Sequence, residues 1–89
     1  MNYLVSYDLN KPGKDYSGVY KAIQNASTGV WCKPLESVYV ICSNLTAQAI
    51  YNKICPFLDT NDRILIIEVT SNSYWYLSKD IGDYLQKML

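Results

Sequence analysis

The fold of this 89-residue chain is decided by its opening run, Asn2-Tyr-Leu-Val-Ser-Tyr-Asp-Leu9. The side chains alternate with the two-residue period of a β-strand, so Tyr3, Val5 and Tyr7 share one face. Both faces are largely apolar, which predicts a central strand covered on each side. The strand carries a carboxylate, Asp8, to its C-terminal end, where loops open to ligand commonly hold binding residues.

Asp8 has two interpretations at this stage. One is structural, because Asp and Asn side chains readily bond their own downstream backbone, and Asp8 would then cap the turn formed by Asn10, Pro12 and Gly13. The other is functional, since a carboxylate at an open strand end can bind a ligand or a cation. The residues alone leave both interpretations open.

The remaining elements continue the pattern as β-α-β-β-α-β followed by a terminal helix. Asp15, Thr46 and Ser78 are the predicted N-caps of the three helices. The approximate bounds are strands at 2–9, 30–34, 37–42 and 63–69, and helices at 16–27, from 46 and from 78. Two right-handed β-α-β crossovers predict an α+β, ferredoxin-like sandwich with an antiparallel sheet of order 4-1-3-2, both long helices on one face and an extra short C-terminal helix.

Composition excludes several classes of protein. The chain has no histidine, the usual general base at neutral pH, and its three cysteines lack zinc-site spacing. Eight acidic and eight basic residues cancel, which argues against a tight, general binder of duplex DNA. The apolar run at 64–67 is too short to span a bilayer, and residues 1–15 do not resemble a signal peptide. We therefore expect one cytoplasmic domain over residues 1–89, without a membrane partner.

The second face of the predicted sheet needs a cover that one short extra helix is too small to supply. A symmetric homodimer, packed sheet to sheet, is the usual solution for so short a chain. Leu4, Ser6 and Asp8, with the matching faces of 38–42 and 64–68, would then approach the dimer axis.

Short motifs add a family resemblance. Tyr7-Asp8 at the end of the first strand, Ser37-Val38-Tyr39 at the start of the third, and the order of elements resemble the small CRISPR-associated endoribonuclease family, whose members form the central dimer of the spacer-integration complex. A "SinR-like" branch of short bacterial and phage proteins is similar at Tyr3-Leu-Val-Ser-Tyr-Asp-Leu-Asn-Lys-Pro-Gly13, Trp31, Leu58-Asp59, Asp62, Ile67-Glu-Val-Thr70 and Trp75-Tyr-Leu-Ser78. The resemblance covers nearly the whole chain.

Two departures from the CRISPR proteins alter what the resemblance implies. Their last third adds a strand that reaches across to the partner, whereas this chain has Tyr74-Trp75-Tyr76 and a helix there. A neutral net charge also fits poorly with a scaffold for duplex DNA. We therefore expect a stand-alone role, in defence or nucleic-acid processing, outside spacer integration.

The resemblance also implies a site. Asp8 matches the strand-end aspartate that binds metal at the family's dimer interface, so two Asp8 carboxylates could share one Mg²⁺ or Mn²⁺ ion. Lys11 and Lys14 lie beside the start of the first helix and could hold an anion. Arg63 and Ser37 are expected at the same end of the sheet as Asp8, where they would orient a phosphate.

Three functional hypotheses follow. The preferred one is a small homodimeric module that binds RNA, another single strand or a nucleotide through Tyr7, Asn10, Lys11, Lys14, Trp31 and Tyr39, or through Tyr74-Trp75-Tyr76. The second is a Mg²⁺- or Mn²⁺-dependent phosphodiesterase or ribonuclease using Asp8, Ser37 and Arg63. The third is a protein-interaction module, such as an antitoxin or a phage counter-defence factor. Tyrosines at strand period usually pack a sheet and a single aspartate usually serves a turn, so binding ranks above catalysis.

Overall fold

The computed structural model describes residues 1–89 and shows one antiparallel sheet, in which the four strands lie in the order second, third, first, fourth by chain position, with the first two helices packed on one face. This confirms the ferredoxin-like prediction, the strand order and the extra C-terminal helix. The elements are β1 (Asn2–Asp8), α1 (Ser17–Ala26), β2 (Trp31–Leu35), β3 (Val38–Cys42), α2 (Ala47–Ile54), a 3₁₀ turn (Cys55–Phe57), β4 (Arg63–Val69) and α3 (Lys79–Met88).

The main core lies between the sheet and these two helices. Strand β1 is central, and its residues Tyr3, Val5 and Tyr7 are buried, as their alternation predicts. Ile23 of α1 and Ile50 of α2 are fully buried against them. Because β1 pairs with β3 on one side and β4 on the other, both ends of β1 are fixed by neighbouring strands.

The helix starts follow the expected chemistry at α2 and differ from it at α1 and α3. The hydroxyl of Thr46 accepts a hydrogen bond from the Ala49 amide at 3.1 Å, which confirms it as the cap of α2. Asp15 lies one residue before the N-cap of α1. Its carboxylate accepts a hydrogen bond from the Ser17 amide at 2.9 Å, and this bond holds the pKa of Asp15 below its usual value. Ser78 occupies the N-cap of α3, but its side chain makes no capping hydrogen bond.

The second face of the sheet is covered only in part. Helix α3 packs over the side nearest β2, where Cys32, Val40 and Leu85 form a small buried cluster, and burial raises the pKa of Cys32. The other side, which we call the open face, remains uncovered, and its residues Leu65 and Ile67 are 57% and 46% exposed. The open face consists of Leu4, Ser6 and Asp8 of β1 and Arg63, Leu65 and Ile67 of β4. The fold contains no helix with the length and apolar character needed to cross a membrane.

Ser43 is a fully buried polar residue that fixes the chain after β3. Its hydroxyl donates to the Ala26 carbonyl at 2.6 Å and accepts from the Leu45 amide at 3.1 Å, which links the end of α1 to the approach to α2. Replacing Ser43 with alanine leaves two backbone groups without partners, and we expect a loss of about 1–3 kcal/mol in the free energy of unfolding. Urea denaturation would measure the loss, with the exposed Ser71→Ala as the control. Equal stability of the two variants would contradict this role.

Candidate functional site

Three of the proposed site residues lie at one end of the sheet. Asp8 and Arg63 are directly paired across β1 and β4, so both belong to the open face. The Tyr7 amide donates to the Ser37 carbonyl at 3.1 Å, which places the turn between β2 and β3 at the same end. All three side chains, Asp8, Ser37 and Arg63, are exposed. The antiparallel register therefore brings these elements together as the strand pairing predicts.

The three side chains do not interact with one another. The Arg63 guanidinium donates to the carbonyls of Thr60 and Asp62, at 3.1 and 2.9 Å, and forms no ion pair with Asp8. Asp8 takes part in the following turn only through its backbone carbonyl, which accepts from the Asn10 side chain at 3.3 Å. Its carboxylate makes no hydrogen bond, so Asp8 does not cap the turn.

The carboxylate that organises this turn is Asp62, which is only 7% exposed. Its Oδ1 accepts from the Asn10 amide at 2.8 Å and the Tyr16 hydroxyl at 2.7 Å, and its Oδ2 accepts from the Asp59 amide at 2.7 Å. Burial acts to raise the pKa of Asp62, but these hydrogen bonds outweigh it and hold the pKa below its usual value. Burial and the bond to Asp62 raise the pKa of Tyr16.

The predicted anion-binding lysines belong to the same polar network. Lys14 Nζ lies 2.6 Å from Asp59 Oδ2 and donates to the Phe57 carbonyl at 2.8 Å, while Lys11 Nζ lies 3.7 Å from Asp59 Oδ1. The bond between Lys14 and Asp59 raises the pKa of the lysine and lowers that of the carboxyl. Asn10 adds a bond from its side chain to the Asn61 carbonyl at 2.9 Å. Lys14 is therefore committed to a carboxylate and is not free to hold an anion.

We call this network the polar lock, because it ties the loop after β1 to the loop before β4. Sequence reasoning assigned Asn10 and Lys14 to ligand binding and gave no such role to the acidic pair around the turn. The signal that could have revealed the lock is the Asp59-Thr-Asn-Asp62 turn itself, since Asp side chains commonly accept from nearby backbone amides. The members of the polar lock are Asn10, Lys11, Lys14, Tyr16, Asp59 and Asp62.

The remaining predicted ligand residues form an aromatic cluster on the helical side of the sheet. Tyr7 and Tyr39 are only 7% and 4% exposed, so their rings are closed to stacking by a base. Trp31 is half-buried, and its ring centroid lies 5.5 Å from that of Tyr39. Burial, with smaller effects from Tyr20 and Tyr39, raises the pKa of Tyr7 to about 12.

Two residues that sequence reasoning did not assign to binding complete the outer part of this cluster. Tyr20 of α1 is half-buried, with its ring centroid 5.9 Å from that of Tyr7. The exposed Lys33 places its Nζ 5.2 Å from the Tyr20 centroid and 5.9 Å from the Tyr39 centroid. We call Tyr20, Trp31 and Lys33 the aromatic surface. It combines two accessible rings with a cation that makes no ion pair.

The Tyr74-Trp75-Tyr76 segment lies at the opposite side of the sheet. Both tyrosines are fully exposed, whereas Trp75 packs against the small cluster under α3. Between this segment and the sheet runs an apolar groove of about 200 Å³. Ten of its twelve lining residues are hydrophobic, Leu4 and Val69 among them, so the groove continues the apolar character of the open face.

A metal ion at Asp8 would need ligands from outside one chain. The structure contains no group of three or more Cys, Asp or Glu side chains placed to hold a metal ion. Asp8 alone offers a single carboxylate, which suits Mg²⁺ or Mn²⁺ only with a second carboxylate, water or phosphate oxygens as further ligands.

Comparisons with known proteins do not assign the chain to a family. No protein-family model matches it, and no curated protein matches it. The resemblance in the motifs stays a prediction.

Proposed function

We propose that this protein is a homodimeric module, acting outside spacer integration, that binds RNA, another single strand or a nucleotide through its aromatic surface. The observation that carries the proposal is the exposed Lys33 ammonium group beside the half-buried Tyr20 ring, with the half-buried Trp31 ring packed against the same Tyr39. Bases of any sequence stack on aromatic side chains, and a neighbouring lysine supplies the contact to phosphate.

The surroundings of this surface support the proposal. Tyr7 and Tyr39 are held in the core behind it, so the outer rings rest on rigid neighbours and lose little freedom when a base stacks on them. The Gln24 side chain donates to the Tyr39 hydroxyl at 3.2 Å, which fixes that ring from α1. A net charge of zero suits a short single strand or a nucleotide better than a duplex, whose binding needs many neutralised phosphates.

Replacing Trp31 with leucine should weaken the binding of a fluorescein-labelled oligothymidylate by about fivefold to a hundredfold, because stacking on one aromatic side chain is worth about 1–3 kcal/mol. Fluorescence anisotropy at fixed salt measures the change, and a melting curve of Trp31→Leu shows that the fold is retained. Tyr76→Leu is the matched control, since it removes a fully exposed ring on the other side of the sheet. Equal losses in the two variants would contradict the proposal.

A second candidate function, a metal-dependent phosphodiesterase, is favoured by one observation. The Asp8 carboxylate is exposed on the open face and makes no hydrogen bond, so no structural task accounts for it. A two-fold dimer through the open face would bring a second Asp8 near the first, and the pair could share a Mg²⁺ or Mn²⁺ ion.

We expect Asp8→Asn to leave the melting temperature unchanged, because the substitution breaks no hydrogen bond. In this second function it should abolish Mn²⁺-dependent cleavage of single-stranded RNA, since asparagine lacks the charge that holds the cation. Cleavage assays beside melting curves would measure both effects. A lowered melting temperature with unchanged cleavage would make Asp8 a structural residue only.

A further inference from the structure

A cleft of about 400 Å³ lies between α1 and α2, on a different flank of α1 from the aromatic surface. Four of its lining residues come from α1 at the spacing i, i+3, i+4 and i+7, which forms one continuous strip along a helix. The cleft is lined by Gly18, Lys21, Ala22, Asn25, Lys53 and Phe57. Neither the polar lock nor the aromatic surface contributes a residue to it.

The cleft carries positive charge, and none of its lining residues is acidic. Lys21 and Lys53 face it from neighbouring helices, and neither forms an ion pair. The Asp15 carboxylate outside the cleft accepts from the Ser17 amide and interacts with Lys21 only through its electric field. Lys14, by comparison, has a direct ion pair with Asp59 at 2.6 Å. Two ammonium groups without an ion-pair partner mark a place where an anion is favoured.

One wall of the cleft is an aromatic ring that is held in position. Phe57 is half-exposed, and its ring lies directly against Gly18, where an added Cβ would be only 2.7 Å from the ring. Its backbone carbonyl accepts from Lys14 Nζ at 2.8 Å. Gly18 thus provides the space in which the ring sits, and Lys14 holds the backbone behind it.

We infer that this cleft is a binding site for a nucleoside monophosphate. The phosphate would lie between Lys21 and Lys53, the base would pack on Phe57, and the Asn25 amide offers a donor and an acceptor for polar groups of the ligand. The volume falls within the range of small-molecule sites. The inference goes beyond the proposed function, because it concerns a separate surface and does not depend on the binding of a strand at Trp31.

The test is a titration of the ¹⁵N-labelled protein with adenosine 5′-monophosphate, followed by amide chemical shifts. Shifts should cluster on the lining residues of α1, and the monophosphate should bind about tenfold more tightly than inorganic phosphate or adenosine alone, because each probe lacks one of the two contacts. Shifts confined to the aromatic surface, or equal binding of inorganic phosphate, would overturn the inference.

Variants separate the two contacts. Lys21→Gln/Lys53→Gln should weaken binding roughly tenfold or more, whereas Lys87→Gln on α3 should leave it unchanged.

Gly18→Ala forces the Phe57 ring to move and should weaken binding while both lysines remain. Phe57→Leu tests the same contact without a change in the helix. Trp31→Leu should have no effect at the cleft, which separates this inference from the proposed function. Unchanged binding in the double lysine variant, or in Phe57→Leu, would overturn it.

Discussion

Replacing Asp62 with asparagine is expected to lower the melting temperature by roughly 5 °C or more. Both carboxylate oxygens accept hydrogen bonds, from the Asn10 amide and Tyr16 hydroxyl on one and the Asp59 amide on the other. Asparagine has a single acceptor oxygen, so its amide nitrogen would face one of these donors. The change therefore breaks bonds and also creates a repulsive contact inside a buried network.

Thermal unfolding followed by circular dichroism would measure this effect, and Asp8→Asn is the matched control, since it makes the same replacement at an exposed carboxylate.

The effect of Asp62→Asn on the melting temperature should depend on pH. Because the pKa of Asp62 in the folded protein lies below its unfolded value of about 3.9, its stabilisation is complete above that value and is lost as pH falls through the folded pKa. The difference in melting temperature between the wild type and Asp62→Asn should therefore shrink as the pH falls. A constant difference between wild type and Asp62→Asn down to pH 2 would contradict the argument.

Introducing two lysines on the open face, Leu65→Lys/Ile67→Lys, is expected to dissociate the proposed homodimer into monomers. Both side chains are about half-exposed on β4. Leu4 on the neighbouring strand lines the apolar groove, so the exposed apolar surface continues from β4 to the groove. A stable interface buries an apolar patch of this kind. Charges placed at the centre of that interface would have to lose their hydration on association, which disfavours the dimer strongly.

Sedimentation velocity at micromolar concentration distinguishes the two states. Tyr51→Lys is the matched control, since it places a charge at an exposed large hydrophobic residue on α2, away from the open face. We expect the control to remain dimeric. A monomeric wild-type protein at the same concentration would exclude the homodimer, and a dimer in both variants would place the interface elsewhere.

The fold could be derived from the sequence because its signals are local. The two-residue alternation in β1, the helical stripe containing Val19 and Ile23, and the cap at Thr46 each indicate one element, and the crossover rule then orders the strands. The partial cover of the second face could not be derived. Where α3 packs depends on residues 70–78, which have no periodicity, and the helix settles over Cys32 and Val40 rather than over β4.

The sequence predicted where the candidate site lies in the sheet, but it did not predict the contacts of its side chains. Strand register brings Asp8 opposite Arg63, but it does not show where a long side chain turns, and Arg63 bonds to the carbonyls beside it. The choice between Asp8 and Asp62 as the residue that organises the turn depends on the Asn10 amide and the Tyr16 hydroxyl, which are distant from Asp62 in the sequence. The burial of Tyr7, in contrast, follows from its alternation with Tyr3 and Val5, and it closes the ring to the base stacking that the sequence analysis assigned to this residue.

The polar lock has a consequence for the order in which the chain folds. The bond between the Asn10 amide and Asp62 joins residues 52 positions apart, and the bond from Tyr16 to Asp62 joins residues 46 apart. Closing so long a loop costs more entropy than forming a helix or a hairpin, so we expect these bonds to form after the local elements. Interactions that form late act mainly on the rate of unfolding, and we therefore expect the polar lock to slow the opening of the native state.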